Sequence, residues 1–168
     1  MRKSRVWITL SCCLIALAVF AWAQSGKKPG LYEVTASMTW QQSPMPQGMQ
    51  APPGSPFAGG PRTSQVCITQ AQIDKWGGAP PQSRGDCQVS DQVMKPMGMS
   101  GVYACKGAMT GNGTYDASWE GDGRYKTKIH FTGTMTMREN TRPVEWTIET
   151  SGVYKGPDCG SVQPIASH

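Results

Sequence analysis

The sequence predicts an all-β fold: an antiparallel meander of about seven strands, curled into a barrel-like or half-open sheet, with one short helix. Three observations predict it. Apolar and polar residues alternate with a period of two in several stretches, as half-buried strands require. Turn residues separate those stretches, and several short strands spaced this way suggest a sandwich or a curling meander. A helix signature occurs in a single short segment.

The elements follow in order. In Gly30–Trp40, Tyr32, Val34, Ala36, Met38 and Trp40 fall on one face, with Glu33, Thr35, Ser37 and Thr39 on the other. Residues 41–61 are rich in Pro, Gly, Gln and Ser and carry no charge. Such a composition buries too little apolar surface to order itself, so the segment is expected to be a flexible loop. Arg62–Ile68 reads as a second strand. Thr69 with Gln72 makes a capping box, so Ala71–Trp76 is expected to be a short helix, ended by Gly77-Gly78 and Pro80-Pro81.

Cys87–Cys105 reads as two strands folded back on a turn rich in Met, Pro and Gly. The midpoint of its two cysteines is Pro96, which places them opposite each other at the open end of the hairpin. Thr114–Trp119, Tyr125–Met137 and Val144–Tyr154 alternate in the same way. Gly111-Asn112-Gly113 and Gly121-Asp122-Gly123 read as turns, and Arg138–Pro143 as a charged loop.

The first residues are read as a secretory signal. Arg2, Lys3 and Arg5 precede the apolar run Val6–Phe20, and Ala21-Trp22-Ala23 supplies a cleavage site before Gln24. The organisation expected is therefore a signal peptide over 1–23 and one domain over 24–168, with a disordered tail at 160–168. The location expected is periplasmic or secreted, with no membrane span after cleavage; a span needs about 20 apolar residues. Three of the 16 basic residues leave with the signal and no acidic ones, so 13 remain against 11 acidic. With no Lys/Arg cluster in the mature part, nucleic acid is not an expected partner.

Four cysteines remain: Cys67, Cys87, Cys105 and Cys159. None is in a CxxC pair, so two disulfides are expected rather than a zinc site. Strand direction favours Cys87–Cys105 with Cys67–Cys159, provided the helix crosses over so that the third strand starts at the far end of the sheet. Cys67–Cys87 with Cys105–Cys159 is the rival.

The segments PGLYEVTASM, VCITQAQ, DCQVSD, ACKGAMTGNGTYDASWEGDGRY, HFTGTMTM and GPDC, in that order, resemble a bacterial family of exported proteins, domain-of-unknown-function family 3617. The resemblance covers roughly Pro29 to Cys159. Tyr32 stands where the family commonly has Trp, and Pro157 precedes the terminal motif. The resemblance implies an exported all-β domain and brings no catalytic residues.

Catalysis is not expected. His168 ends the chain, and His130 is a lone histidine among threonines on a polar strand face. Glu145 and Glu149 share the ordinary wet face of a sheet. No serine sits in a nucleophile elbow, and the glycine-rich segments lack the following helix of a phosphate cradle. No cofactor is expected. The reading is a small periplasmic binding or envelope-associated module, with a small apolar ligand held by the inward Trp40, Trp119 and Trp146, or an envelope protein, as its partner. One alternative is Cu(I) held by thioethers of Met45, Met49, Met94, Met97 and Met99 in the two least regular segments. Another is a structural or partner-interaction domain with a filled core.

Overall fold

The computed structural model describes residues 28–164, apart from 47–48, 50, 53–54, 56–57, 77–85, 122 and 138. Seven strands form a single antiparallel sheet: β1 (Gly30–Gln42), β2 (Gly60–Ile68), β3 (Cys87–Lys95), β4 (Gly98–Cys105), β5 (Met109–Glu120), β6 (Arg124–Met137) and β7 (Asn140–Gly156). One helix, α1 (Gln70–Trp76), lies between β2 and β3. The spatial order is β2-β1-β7-β6-β5-β4-β3, so β3 to β7 is a meander and β1 closes onto the last strand. The sheet is open, with β2 and β3 as its edges, and α1 lies in the connection between these two strands.

The predicted capping box forms in both directions. The Thr69 N–H donates to Gln72 Oε1 at 2.9 Å, and the Gln72 N–H donates to Thr69 Oγ1 at 3.2 Å. These bonds satisfy backbone donors that the first helical turn leaves without partners.

The alternation in sequence becomes two faces of one curled sheet. Tyr103 of β4 meets Trp146 of β7 at a centroid distance of 5.9 Å, although β5 and β6 lie between them. In a flat sheet three strand spacings would hold them about 14 Å apart. Tyr32 of β1 and Trp119 of β5 likewise meet at 5.9 Å. The curl therefore encloses the apolar face. Two buried clusters fill it. One holds Met99, Tyr103, Tyr115, Phe131, Val144 and Trp146; the other holds Tyr32, Val34, Ile68, Trp119, Tyr125 and, from α1, Ile73. Between them runs a rung of small side chains, Ala36–Thr150–Thr127–Ala117, one from each of four neighbouring strands.

Four boundaries differ from expectation. Gly111-Asn112-Gly113 is strand, paired with Gly133, Thr132 and Phe131. Glycine is needed there because strands approach closely: a Cβ on Gly113 would run into the His130 carbonyl, and one on Gly111 into the Thr132 carbonyl and the Phe131 ring. Asn140–Pro143 is also strand, with Thr134 opposite Pro143. Proline is tolerated because β1 ends at Gln42, opposite Glu145, so that among the described residues no strand pairs with this part of β7 on that side. Of the loop expected over 41–61, Gln41 and Gln42 continue β1, Gly60 and Pro61 begin β2, and Pro44 is fully buried. Of the tail expected to be disordered, Pro164 makes a parallel bridge with Cys67. Residues 1–23, read as a signal, and 165–168 lie outside the described residues. Among the described residues, no helix is long and apolar enough to cross a membrane.

Candidate functional site

The cysteines pair as strand direction favoured. Cys67–Cys159 spans 92 residues and ties edge strand β2 to the tail. Cys87–Cys105 spans 18 residues and joins residues directly opposed in the β3–β4 register.

The five methionines do not form one set. Met99 is buried in the first cluster, 1% exposed, because its parity in β4 points it inward beside Ala117. It belongs to the core, not to a loop. Met94 pairs with Met99 across the hairpin, so the turn is only Pro96-Met97. Met49, Met94 and Met97 are exposed and Met45 half-buried. Met94 lies level with Ala117 through Met99 and Met97 lies in the turn, whereas Met45 and Met49 follow β1 beyond Trp40, the residue that pairs with Trp146.

The inward tryptophans are packed rather than arrayed around a void. Phe131 stacks on Trp146 at 5.1 Å, and Tyr103 closes on both rings edge-on. Trp119 lies 4.9 Å from Tyr125. Burial pushes the Tyr32 and Tyr115 phenols up to about 12. Burial, with Tyr115 and Tyr32 nearby, raises Tyr125 further. These hydroxyls stay protonated; Tyr32 donates to the Lys28 carbonyl at 2.7 Å.

The concavity lies on the other face. A groove of about 920 Å³ runs across the polar side of the sheet, from β1 to the β3–β4 turn. Its floor is built from cross-strand rungs. One is Thr35–Ser151–Lys126–Ser118 and the next is Ser37–Glu149–Lys128–Asp116. Directly behind lies the rung of small inner residues, so no bulky side chain props the sheet outward at this level. The turn forms one wall. The Trp119 N–H donates to the Met97 carbonyl at 2.8 Å, and Gly98 lies so close to the Ala117 carbonyl that a Cβ would collide with it.

The charges of the groove are paired. Lys128 Nζ lies 3.0 Å from Glu149, Lys95 Nζ 3.9 Å from Asp116, and Lys126 Nζ 2.7 Å from Glu120, which also binds Arg124 at 3.1 Å. All are substantially exposed, so each pair contributes at most about 1 kcal/mol. They are easily exchanged for a ligand's groups.

His130 is not simply solvated. Its Nδ1 lies 3.2 Å from Thr147 Oγ1 and its Nε2 3.5 Å from Glu145, and the Gln41 amide donates to Thr147 Oγ1 at 3.1 Å. Sequence reasoning missed both this contact and the groove. The groove's signal was present: Lys126-x-Lys128, Glu149-x-Ser151 and Asp116-x-Ser118 share the polar parity. Among the described residues, no three His, Cys, Asp or Glu side chains gather where they could hold a metal ion.

A family model described as "Protein of unknown function (DUF3617)" matches residues 27–159. No curated protein matches the chain, and no solved structure matches it either.

Proposed function

Because the chain belongs to the DUF3617 family, whose description assigns no activity, we propose its function from geometry: a small exported module, periplasmic or secreted, that binds its ligand in the polar-face groove and catalyses nothing. The groove's volume of about 920 Å³ carries this reading. It is of the size that encloses small ligands, at roughly 300–1,000 Å³. Its charged groups are exposed and satisfied by one another, an arrangement suited to recognition rather than to proton transfer or nucleophilic attack. The disulfides agree with an oxidising compartment.

Trp119 and Trp146 pack ring against ring with Tyr125, Phe131 and Tyr103, and Trp40 packs against the same cluster as Trp146, so we assign the ligand to the outer face and not to the three tryptophans. The filled core favours the partner-interaction reading as well, since a rigid scaffold presenting an open groove serves a macromolecule as readily as a small molecule.

The test is native mass spectrometry of the full chain purified from its compartment, beside Ser118→Trp, which fills the groove from an exposed position. A co-purifying mass present on the parent and lost from the variant supports the assignment. A species retained by both, or found on neither, overturns it.

A further inference from the structure

We propose that the occupant of the groove is an extended stretch of polypeptide bearing side chains of both charges; this rests on the groove reading above. Three observations converge on it.

The first is charge order. Across the sheet run Glu149, Lys128 and Asp116 on successive strands, and Lys95 reaches Asp116 from the hairpin. The signs alternate: negative, positive, negative, positive. Each ammonium already faces a carboxylate. A polyanion would meet one carboxylate for nearly every lysine and gain little. A chain of mixed charge can replace each intramolecular pair with an intermolecular one at small cost, because the existing pairs are exposed and weak.

The second is the lip. Among the described residues, six large apolar side chains are exposed, and four of them, Val93, Met94, Met97 and Val102, lie on the β3–β4 hairpin. Met97 lines the groove directly. Methionine is an adaptable contact for varied side chains. A purely ionic ligand would leave the exposed Met97 side chain unused. Among the described residues no aromatic ring lines the groove, so they offer no stacking platform of the kind that a sugar or a nucleic-acid base uses.

The third is length. From β1 to β4 the groove crosses five strands, about 19 Å at the usual spacing. That is the reach of roughly six extended residues. Hydroxyls of Thr35, Ser37, Ser118 and Ser151 line this path, both donors and acceptors for a peptide backbone.

The experiment titrates isotopically labelled full chain, disulfides intact, with four probes. They are a capped hexapeptide alternating threonine with lysine and glutamate, its all-glutamate counterpart, a neutral malto-oligosaccharide and a short-chain phosphatidylglycerol. Saturable amide shifts in β5, β6 and β7 with the mixed-charge peptide are expected. Lys128→Gln and Asp116→Asn should each weaken that binding roughly threefold, the loss of one exposed pair. Both positions are on the surface, and unchanged spectra of the free variants will show that the fold is intact. Stronger shifts from the all-acidic peptide, the saccharide or the phospholipid overturn the peptide assignment while leaving the groove as a binding site. Shifts from no probe overturn it too, and the native mass measurement then decides the groove reading separately.

Discussion

Phe131→Ala tests whether the curled sheet encloses a packed interior or a hidden ligand cavity. Phe131 is wholly buried, stacked on Trp146 at an interplanar angle of 20° and 6.1 Å from Tyr103. Truncating such a ring in a close-packed site costs about 3–5 kcal/mol, through lost transfer energy and the cavity left behind. The two aromatic pairs account for about 0.5–1.5 kcal/mol each of that loss. With a urea dependence near 2 kcal/mol/M, the midpoint of unfolding should fall by about 2 M. The assay is equilibrium urea unfolding followed by tryptophan fluorescence, with both disulfides oxidised and Phe131→Leu as the volume-sparing control. Leu should recover more than half of the loss. A cost below about 1.5 kcal/mol for Ala would refute the reasoning. It would mean that space already exists beside the ring, and the inward tryptophans would again be a ligand site.

Three further outcomes follow from the same structure. Replacing Cys67 and Cys159 by Ala should lower stability by about 4.6 kcal/mol through the 92-residue separation, and replacing Cys87 and Cys105 by about 3.2 kcal/mol through the 18-residue one; a loss under about 1 kcal/mol in calorimetry for either pair would contradict the loop-closure account. A double-mutant cycle on Lys128 and Glu149 should give a coupling of no more than about 1 kcal/mol that disappears in about 1 M salt, so that groove charges can be altered without unfolding the chain. Tyr32 and Tyr115 should resist ionisation. Their phenols titrate near 10 when unfolded and about 12 when folded, so their contribution is complete below pH 10 and is lost as pH rises toward 12. Alkaline absorbance titration that shows all phenolates appearing near pH 10 in the native protein would be incompatible with that burial.

Period-two alternation carried most of the fold, because a sheet with one dry face writes its orientation into every second residue. Tyr32 to Trp40 and Val144 to Tyr154 were legible for that reason, and the capping box at Thr69 because its two hydrogen bonds are local. Gly111 to Gly113 was not legible. Glycine signals a turn when only neighbours along the chain are considered, but here it answers crowding from β6, a strand about twenty residues away. Pro143 misled in the same manner, since its tolerance depends on where β1 stops. The groove is the largest omission. Aromatics drew attention to the inner face, yet an interior rich in Tyr, Trp and Phe fills itself. The open space arises behind Ala36, Ala117, Thr127 and Thr150, where the inner side chains are small, and smallness in four separate strands has no signature until their register is known.

The closure of β1 onto β7 sets an order of assembly. A chain is made from its N-terminus, so the β1–β2 segment exists long before its neighbour on the other side. Tyr32 cannot meet Tyr154, nor Trp40 meet Trp146, until the final strand has arrived. Pairings so distant in sequence are slow to form. Until then Cys87, 20 residues from Cys67, and Cys105 are nearer to it along the chain than its partner Cys159, 92 residues away. The local Cys87–Cys105 hairpin is thus more than a staple. By folding on its own residues and withdrawing both thiols into one bond, it leaves Cys67 unspent until the last strand brings Cys159 to it.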